Sequence, residues 1–161
     1  MTFDSPAKLK LEANIQIASA YSGRVDPEWV EDVVRATLET EGVTGPAEVG
    51  VMIAGSRRVR ALNRLHLGHD YDTDVIAFAL TEGEQAAPPD GVVHLGEAII
   101  SYPQASKQGA QYGHSVRAEL ALLIAHGVLH LLGYEDKAPR EAKRMRAREA
   151  AVLARLGEQA L

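Results

Sequence analysis

The stretch Ala121-Leu122-Leu123-Ile124-Ala125-His126-Gly127-Val128-Leu129-His130-Leu131-Leu132-Gly133-Tyr134-Glu135-Asp136 is the most apolar part of the chain, and it carries two histidines four residues apart. On a helix of 3.6 residues per turn, positions i and i+4 share a face, so both imidazoles can reach one point. Gly133 suits the position just past a helix, where the backbone turns left-handed. Beyond it the chain reverses, and either Glu135 or Asp136 can swing a carboxylate back to the same point. Two imidazoles and a carboxylate, with room left for water, describe a metal site kept open for chemistry. A lone histidine on an apolar helix reads as a hydrogen-bonded core residue. Two on one face, then a helix-ending glycine and an acid, read as metal ligands. Cysteine is absent, so disulfides, thiolate ligands and cysteine nucleophiles are excluded, and any metal here takes nitrogen and oxygen.

The helix around this stretch, Ser115 to Leu132, is apolar on nearly all sides (Val116, Leu120, Leu123, Ile124, Leu129, Leu131), which predicts a central position. Outward from it, Pro139 to Leu156 reads as a last helix with Met145, Val152, Leu153 and Leu156 inward. Toward the N-terminus, Leu11–Ile17 alternates as a half-buried strand. Asp26-Pro27 opens an amphipathic helix that runs to Gly42. Val49–Ala54 is a strand, and Ser56 caps a helix to about Leu67 with Val59, Leu62 and Leu65 inward. Val75–Leu80 is an apolar strand expected to be buried on both faces. Glu82–Asp90, with Pro88-Pro89, reads as a mobile loop. Val92–Ser101 is a further strand, and Pro103 opens a short helical or loop segment. The expectation is an α+β fold, with about four strands packed with helices around the central apolar helix that carries the ligands. One domain spans residues 1–161. The pairing of the strands stays open.

With 46% apolar and 24% charged residues the chain can bury a core as an ordinary globular protein does. Met1 to Lys10 has no apolar secretory region, and the longest apolar run is too short to cross a bilayer, so no membrane partner and a cytoplasmic location are expected. A net charge of −5 argues against broad nonspecific nucleic-acid binding, but leaves room for local basic patches. Lys137, Arg140, Lys143, Arg144, Arg146, Arg148 and Arg155 form one group. Arg57, Arg58, Arg60 and Arg64 form another, with Arg57, Arg60 and Arg64 on one helix face. Both groups read either as solvated faces or as phosphate contacts.

His126-Gly127-Val128-Leu129-His130-Leu131-Leu132-Gly133-Tyr134, followed by two acids, resembles the signature of the YbeY family of ribosome-associated metallo-endoribonucleases. Leu62-Asn63, Asp70, Thr73-Asp74-Val75-Ile76-Ala77-Phe78 and Leu95-Gly96-Glu97-Ala98-Ile99-Ile100 resemble the family's middle motifs. Glu119-Leu120-Ala121 and the tail Met145, Glu149, Leu153, Leu156-Gly157 fit as well. The resemblance implies one divalent metal ion, Zn2+ by expectation, held by an H-x3-H-x5-H pattern. Carried over, that pattern gives His126, His130 and Asp136, with an aspartate at the third histidine's place and Glu135 as the competing ligand. Aspartate binds zinc at a similar distance and hardens the site toward manganese, iron or nickel. The family's basic catalytic residue falls here on Leu67, which makes His66 and Arg64, with His69 nearby, the candidates to replace it. Glu119, seven residues before His126, is either an acceptor behind a ligand histidine or a surface carboxylate. His94 and His114 have no partner at ligand spacing. Thr73 and Asp74 either shape the cleft wall or end a strand, and Asn63 bonds a backbone group. The implied function is cleavage of single-stranded RNA in small-subunit ribosomal RNA maturation and ribosome quality control. Ribosomal RNA and small ribosomal subunit proteins are the implied partners. The alternatives are a ribosome-assembly factor with a structural metal, and a hydrolase of small esters or peptides. Gly127 speaks against a peptidase, because it stands where the general-base glutamate of H-E-x-x-H would be.

Overall fold

A computed structural model describes residues 8–80 and 90–157, so the expected loop at Glu82–Asp90 lies, apart from Asp90, outside the described residues. In chain order the elements are β1 (Leu9–Ile17), α1 (Pro27–Thr40), β2 (Gly45–Ala54), α2 (Ser56–Leu67), β3 (Val75–Ala79), β4 (Val93–Ser101), α3 (Tyr102–Tyr112), α4 (Val116–Leu131) and α5 (Pro139–Leu156). The four strands form one sheet in the order β1-β2-β4-β3. β1 and β2 are parallel, β2 and β4 are parallel, and β3 runs antiparallel to β4. Each parallel pair needs a crossover: α1 links β1 to β2, and α2 with β3 lies between β2 and β4. The mixed pairing settles what the sequence left open, because alternation along a strand does not depend on the direction of its neighbour.

The pleat sorts the sheet into two faces. Val49, Val51 and Ile53 of β2, Ala98 and Ile100 of β4, and Val75 and Ala77 of β3 join the large core with α1 and α4. Met52, Ile99, Ile76 and Phe78 point the other way and pack beneath α2 with Val59 and Leu62. Helix α4 is therefore enclosed, with β3 and β4 below it and α1, α3 and α5 around it. Ile124, Leu129 and Val128 are fully buried, as the apolar composition of this helix required. Burial of one such side chain contributes about 1.5–3 kcal/mol.

Two glycines set the distances within this arrangement. A Cβ on Gly127 would stand 2.9 Å from Cβ of Ala98 and 3.2 Å from Cγ2 of Val75, so α4 lies close against the sheet at the residue after His126. Gly96 occupies a bulge: the register passes from Glu48 opposite His94 to Val49 opposite Gly96, which leaves Leu95 unpaired with β2. Its φ is +124°, and a Cβ there would lie 2.0 Å from the carbonyl oxygen of Phe78.

Asp26 caps α1 as expected, accepting from the Glu28 N–H at 3.0 Å with Pro27 in the first turn. Ser56 does not cap α2. Gly55 holds the cap position and Ser56 is the first helical residue. β3 is not buried on both faces. It is an edge strand, only Ile76 is fully buried, and Leu80 beyond it is 72% exposed. An apolar run reports the hydrophobicity of a strand and not its place in the sheet.

Candidate metal centre

Helix α4 starts at the cap residue Ser115, whose Oγ accepts from the Ala118 N–H at 3.0 Å, and ends at Leu132. Gly133 takes a positive φ of 104°, and the Tyr134 N–H returns to the Leu129 carbonyl at 3.0 Å. This reversal brings the following acids back over the last turn. His126 Nε2 and His130 Nε2 are 3.1 Å apart. Asp136 Oδ2 lies 3.4 Å from the first and 3.7 Å from the second. All three atoms fall within 4.8 Å of one another, and among the described residues no other group of three such side chains does so. Glu135 is exposed and lines a shallow cleft with Tyr134, Glu141 and Arg144 instead.

The far sides of both rings are committed. His126 Nδ1 lies 2.5 Å from Glu149 Oε2 of α5, and His130 Nδ1 lies 2.7 Å from the Tyr134 carbonyl oxygen. Both partners accept only, so each Nδ1 carries the proton and each Nε2 presents a lone pair. Two such lone pairs facing each other repel unless a cation or a shared proton sits between them. Ligand atoms bound to zinc at about 2.0–2.1 Å in a tetrahedron are about 3.3 Å apart, and the three separations here bracket that value. Donor type, tautomer and spacing fit a divalent metal ion.

Glu149 went unrecognised in the sequence as an acceptor, and Glu119 does not serve as one. Glu119 is buried on α4, where Oε1 accepts from Gln108 Nε2 at 2.7 Å and Oε2 lies 2.7 Å from His114 Nε2. Its i, i+7 spacing placed it on the helix of His126, but α3 claims it first. For Glu149 the one signal in the sequence was its helical spacing with the inward positions Met145, Val152 and Leu153, and the structure buries it with them at 7% exposure. Exchanging Glu149 for glutamine keeps the shape and removes the charge behind His126. Metal affinity should fall about 10- to 100-fold, measured by competition with a chelator.

Burial pushes the His126 pKa down, but the hydrogen bond and charge of Glu149, with the charges of Asp136 and Asp74, outweigh it and leave the pKa raised. A raised histidine pKa stabilises the metal-free fold below the unfolded value, about 6.5, and that contribution is lost as pH rises through the folded value. Metal must displace this proton, so its affinity changes in the opposite sense. The rise in melting temperature on adding Zn2+ should therefore grow from about pH 5.5 to about pH 8.5, and should already shrink at a pH where an ordinary histidine is still neutral. Thermal melts with and without metal across that range check the sign.

Tyr134 links the site to the rest of the helical layer. Its hydroxyl donates to Glu41 Oε1 at 2.5 Å, and Glu41, the residue that ends α1, also accepts from Arg148 Nε at 2.6 Å. Arg148 reaches the Thr40 carbonyl as well, at 3.2 Å, Arg144 lies over the Tyr134 ring, and Arg155 pairs with Glu39. Arg148 and Arg155 thus tie α5 to the end of α1, while Lys137, Arg140, Lys143 and Arg146 are exposed.

The pair expected to act catalytically, Arg64 and His66, is not brought into the cluster. His66 packs edge-on to Phe78, at 5.2 Å between ring centroids, on the sheet face covered by α2. Arg64 is exposed on the same helix. The pleat of β3 is the reason: Val75 faces α4, whereas Phe78, three residues on, faces away. Asp74, at the head of β3, bonds through its carbonyl to the Ser101 N–H, and its charge reaches His126. Thr73 Oγ1 lies 3.4 Å from the Val75 carbonyl. Asn63 is buried and donates to the Tyr71 carbonyl at 3.2 Å. His94 forms a surface cluster with Asp90 (2.8 Å) and Glu48 (3.2 Å).

The family model described as Endoribonuclease YbeY matches residues 14–157. The chain belongs to the YbeY family. An Endoribonuclease YbeY from Roseiflexus sp. (strain RS-1) is 42% identical over 147 residues, covering 89% of this chain and 92% of the relative. One from Desulforamulus reducens is 44% identical over 129 residues, covering 80% and 84%. The fold is shared with the solution structure of TM1509 from Thermotoga maritima, at a TM-score of 0.59 and 20% identity over 91% of this chain and 92% of that one. The YbeY match thus takes in α4, the turn after it and α5, the three segments that supply His126, His130, Asp136 and Glu149.

Proposed function

We infer that the protein is a metal-dependent endoribonuclease that cuts single-stranded RNA during maturation and quality control of small-subunit ribosomal RNA. The observation that carries this reading is the convergence of two imidazole Nε2 atoms and the Asp136 carboxylate, in a chain whose relatives bear the name Endoribonuclease YbeY. His126, His130 and Asp136 hold the ion, and zinc is our assignment from the nitrogen-rich donor set. When bound, a divalent ion with an open position polarises a phosphoryl oxygen and lowers the pKa of water.

The chain's own groups do the rest. Glu149 and the Tyr134 carbonyl fix both imidazoles as Nε2 donors, and Asp136 cancels one positive charge. Gly127 offers no general base on the helix, so peptide hydrolysis by the H-E-x-x-H route has no proton acceptor here. Asp74 contributes negative charge from the sheet side. We assign no proton transfer to His66, and Arg64 enters only as a cation for phosphate. Small ribosomal subunit proteins are the protein partners we assign, residues 1–161 act as one YbeY-like domain, and the cytoplasm is the proposed compartment. No helix among the described residues is long and apolar enough to cross a membrane.

The test is cleavage of a single-stranded RNA by metal-loaded protein, beside a duplex of the same sequence. Cutting of the single strand alone is expected. Bound metal without cutting would return the protein to the assembly-factor reading.

A further inference from the structure

We propose that His69 and Tyr71, with Arg64 and Arg57 alongside, form a stacking platform that holds an unpaired base of the RNA next to the metal centre. The proposal rests on the endoribonuclease reading and names how that site would grip its substrate. The two rings lie 5.3 Å apart between centroids with 18° between their planes, and the Tyr71 hydroxyl is 3.2 Å from His69 Nδ1. Tyr71 is 54% exposed, so a large aromatic surface faces water and takes no part in either core cluster around the sheet.

Exposure alone would mean little, but this loop is anchored from below. Gly68 ends α2 in the left-handed conformation, and the His69 N–H returns to the Asn63 carbonyl at 3.3 Å. The buried Asn63 side chain holds the Tyr71 carbonyl. Arg60 grips Asp70 through its side chain at 3.0 Å and its carbonyl at 3.1 Å, and lies 4.0 Å from Asp72. The rings are thus presented on a fixed segment, which lowers the entropy lost when a ligand stacks on them.

Charge selects the ligand. Arg60 offsets one of the two loop acids, and Arg57 and Arg64, on the same helix face and exposed, leave this face of α2 and the loop with a net positive charge. An aromatic plane at the end of a helix whose exposed face carries arginines suits a base and its flanking phosphates. In a duplex the base faces are already stacked on one another, so such a platform grips unpaired nucleotides. Position ties it to the reaction. Asp74 follows Tyr71 by three residues, a reach of at most about 11 Å. The next residue, Val75, packs under Gly127 beside His126. A base on Tyr71 would therefore belong to a nucleotide within a few positions of the phosphate at the metal.

The experiment measures binding of a short 5′-labelled single-stranded RNA to the metal-loaded full chain by fluorescence anisotropy, together with metal affinity and the melting temperature. Tyr71→Ala should weaken RNA binding roughly ten-fold or more, with metal affinity and melting temperature retained. Tyr71→Phe should restore binding to within about two-fold, since it keeps the ring. If Tyr71→Ala binds RNA as the wild type does while Arg64→Ala binds less well, the grip is on phosphate alone and the platform is overturned, with the nuclease reading intact. If the wild type neither binds nor cuts the RNA, the nuclease reading fails and takes the platform with it. A ribosomal protein captured through Tyr71 and the neighbouring exposed Leu65 and Leu67, with RNA binding unchanged, would also overturn it.

Discussion

Exchanging His130 for alanine should reduce metal-dependent RNA cleavage to background. A loss of more than about 100-fold is expected, because groups that merely support a ligand already cost 10- to 100-fold when removed. Only one imidazole and one exposed carboxylate would remain, and the Tyr134 carbonyl would lose its donor. The fold should survive. His130 is partly exposed at the end of α4, and the fully buried Ile124, Val128 and Leu129 are untouched. Metal content by elemental analysis and cleavage on a gel, from parallel preparations, read the two effects separately. Equal cutting by wild type and variant would place the nuclease elsewhere.

The second large effect concerns stability. Gly127→Glu writes the peptidase motif H-E-x-x-H into this helix, yet no peptidase should result. The new Cβ would meet Ala98 at 2.9 Å and Val75 at 3.2 Å, and a carboxylate would be forced against the apolar underside of α4. Overpacking costs about 1–3 kcal/mol, and an unpaired buried polar group adds a similar amount, so a loss of about 3 kcal/mol or more is expected in urea melts. Gly127→Ala should lose less, since alanine's helix preference returns about 1 kcal/mol. A Gly127→Glu protein as stable as the wild type would mean that α4 stands clear of the sheet. The glycine at position 127 thus has a packing reason: at this point α4 lies so close to β3 and β4 that a side chain would meet Ala98 and Val75.

Helix α4 was legible because its evidence is local: apolar residues on all sides, a serine before it, a glycine after it, and histidines at i and i+4. β1 was legible as alternation and β3 as an apolar run, although β1 and β2 extend further toward the N-terminus than the sequence reading placed them. Glu149 was hidden for a different reason. It meets His126 across 23 residues of sequence, through the packing of α5 on α4, and no periodicity encodes that meeting. The same holds for Glu41, which reaches Tyr134 across 93 residues. The exposure of β3 followed from its edge position, and Arg64 and His66 were named because they neighbour Leu67, where the family resemblance places a basic residue. Composition described the helix that bears the ligands; the groups that orient them arise from tertiary packing.

Asp136 differs from the two histidines in how it is held. Tyr134 before it is fastened by its N–H, its carbonyl and its hydroxyl, and Ala138 after it donates to Glu141 Oε1 at 3.0 Å to begin α5. Between these anchors Glu135, Asp136 and Lys137 are exposed and belong to no helix or strand. The Asp136 side chain is 39% exposed, against 21% and 24% for the histidines. Two of the three groups thus stand on a helix, and the third stands on an exposed segment between two anchors. With an ion held as proposed, its exchange with solution would pass on the Asp136 side, and Asp136→Ala would shorten its residence more than it would move its place.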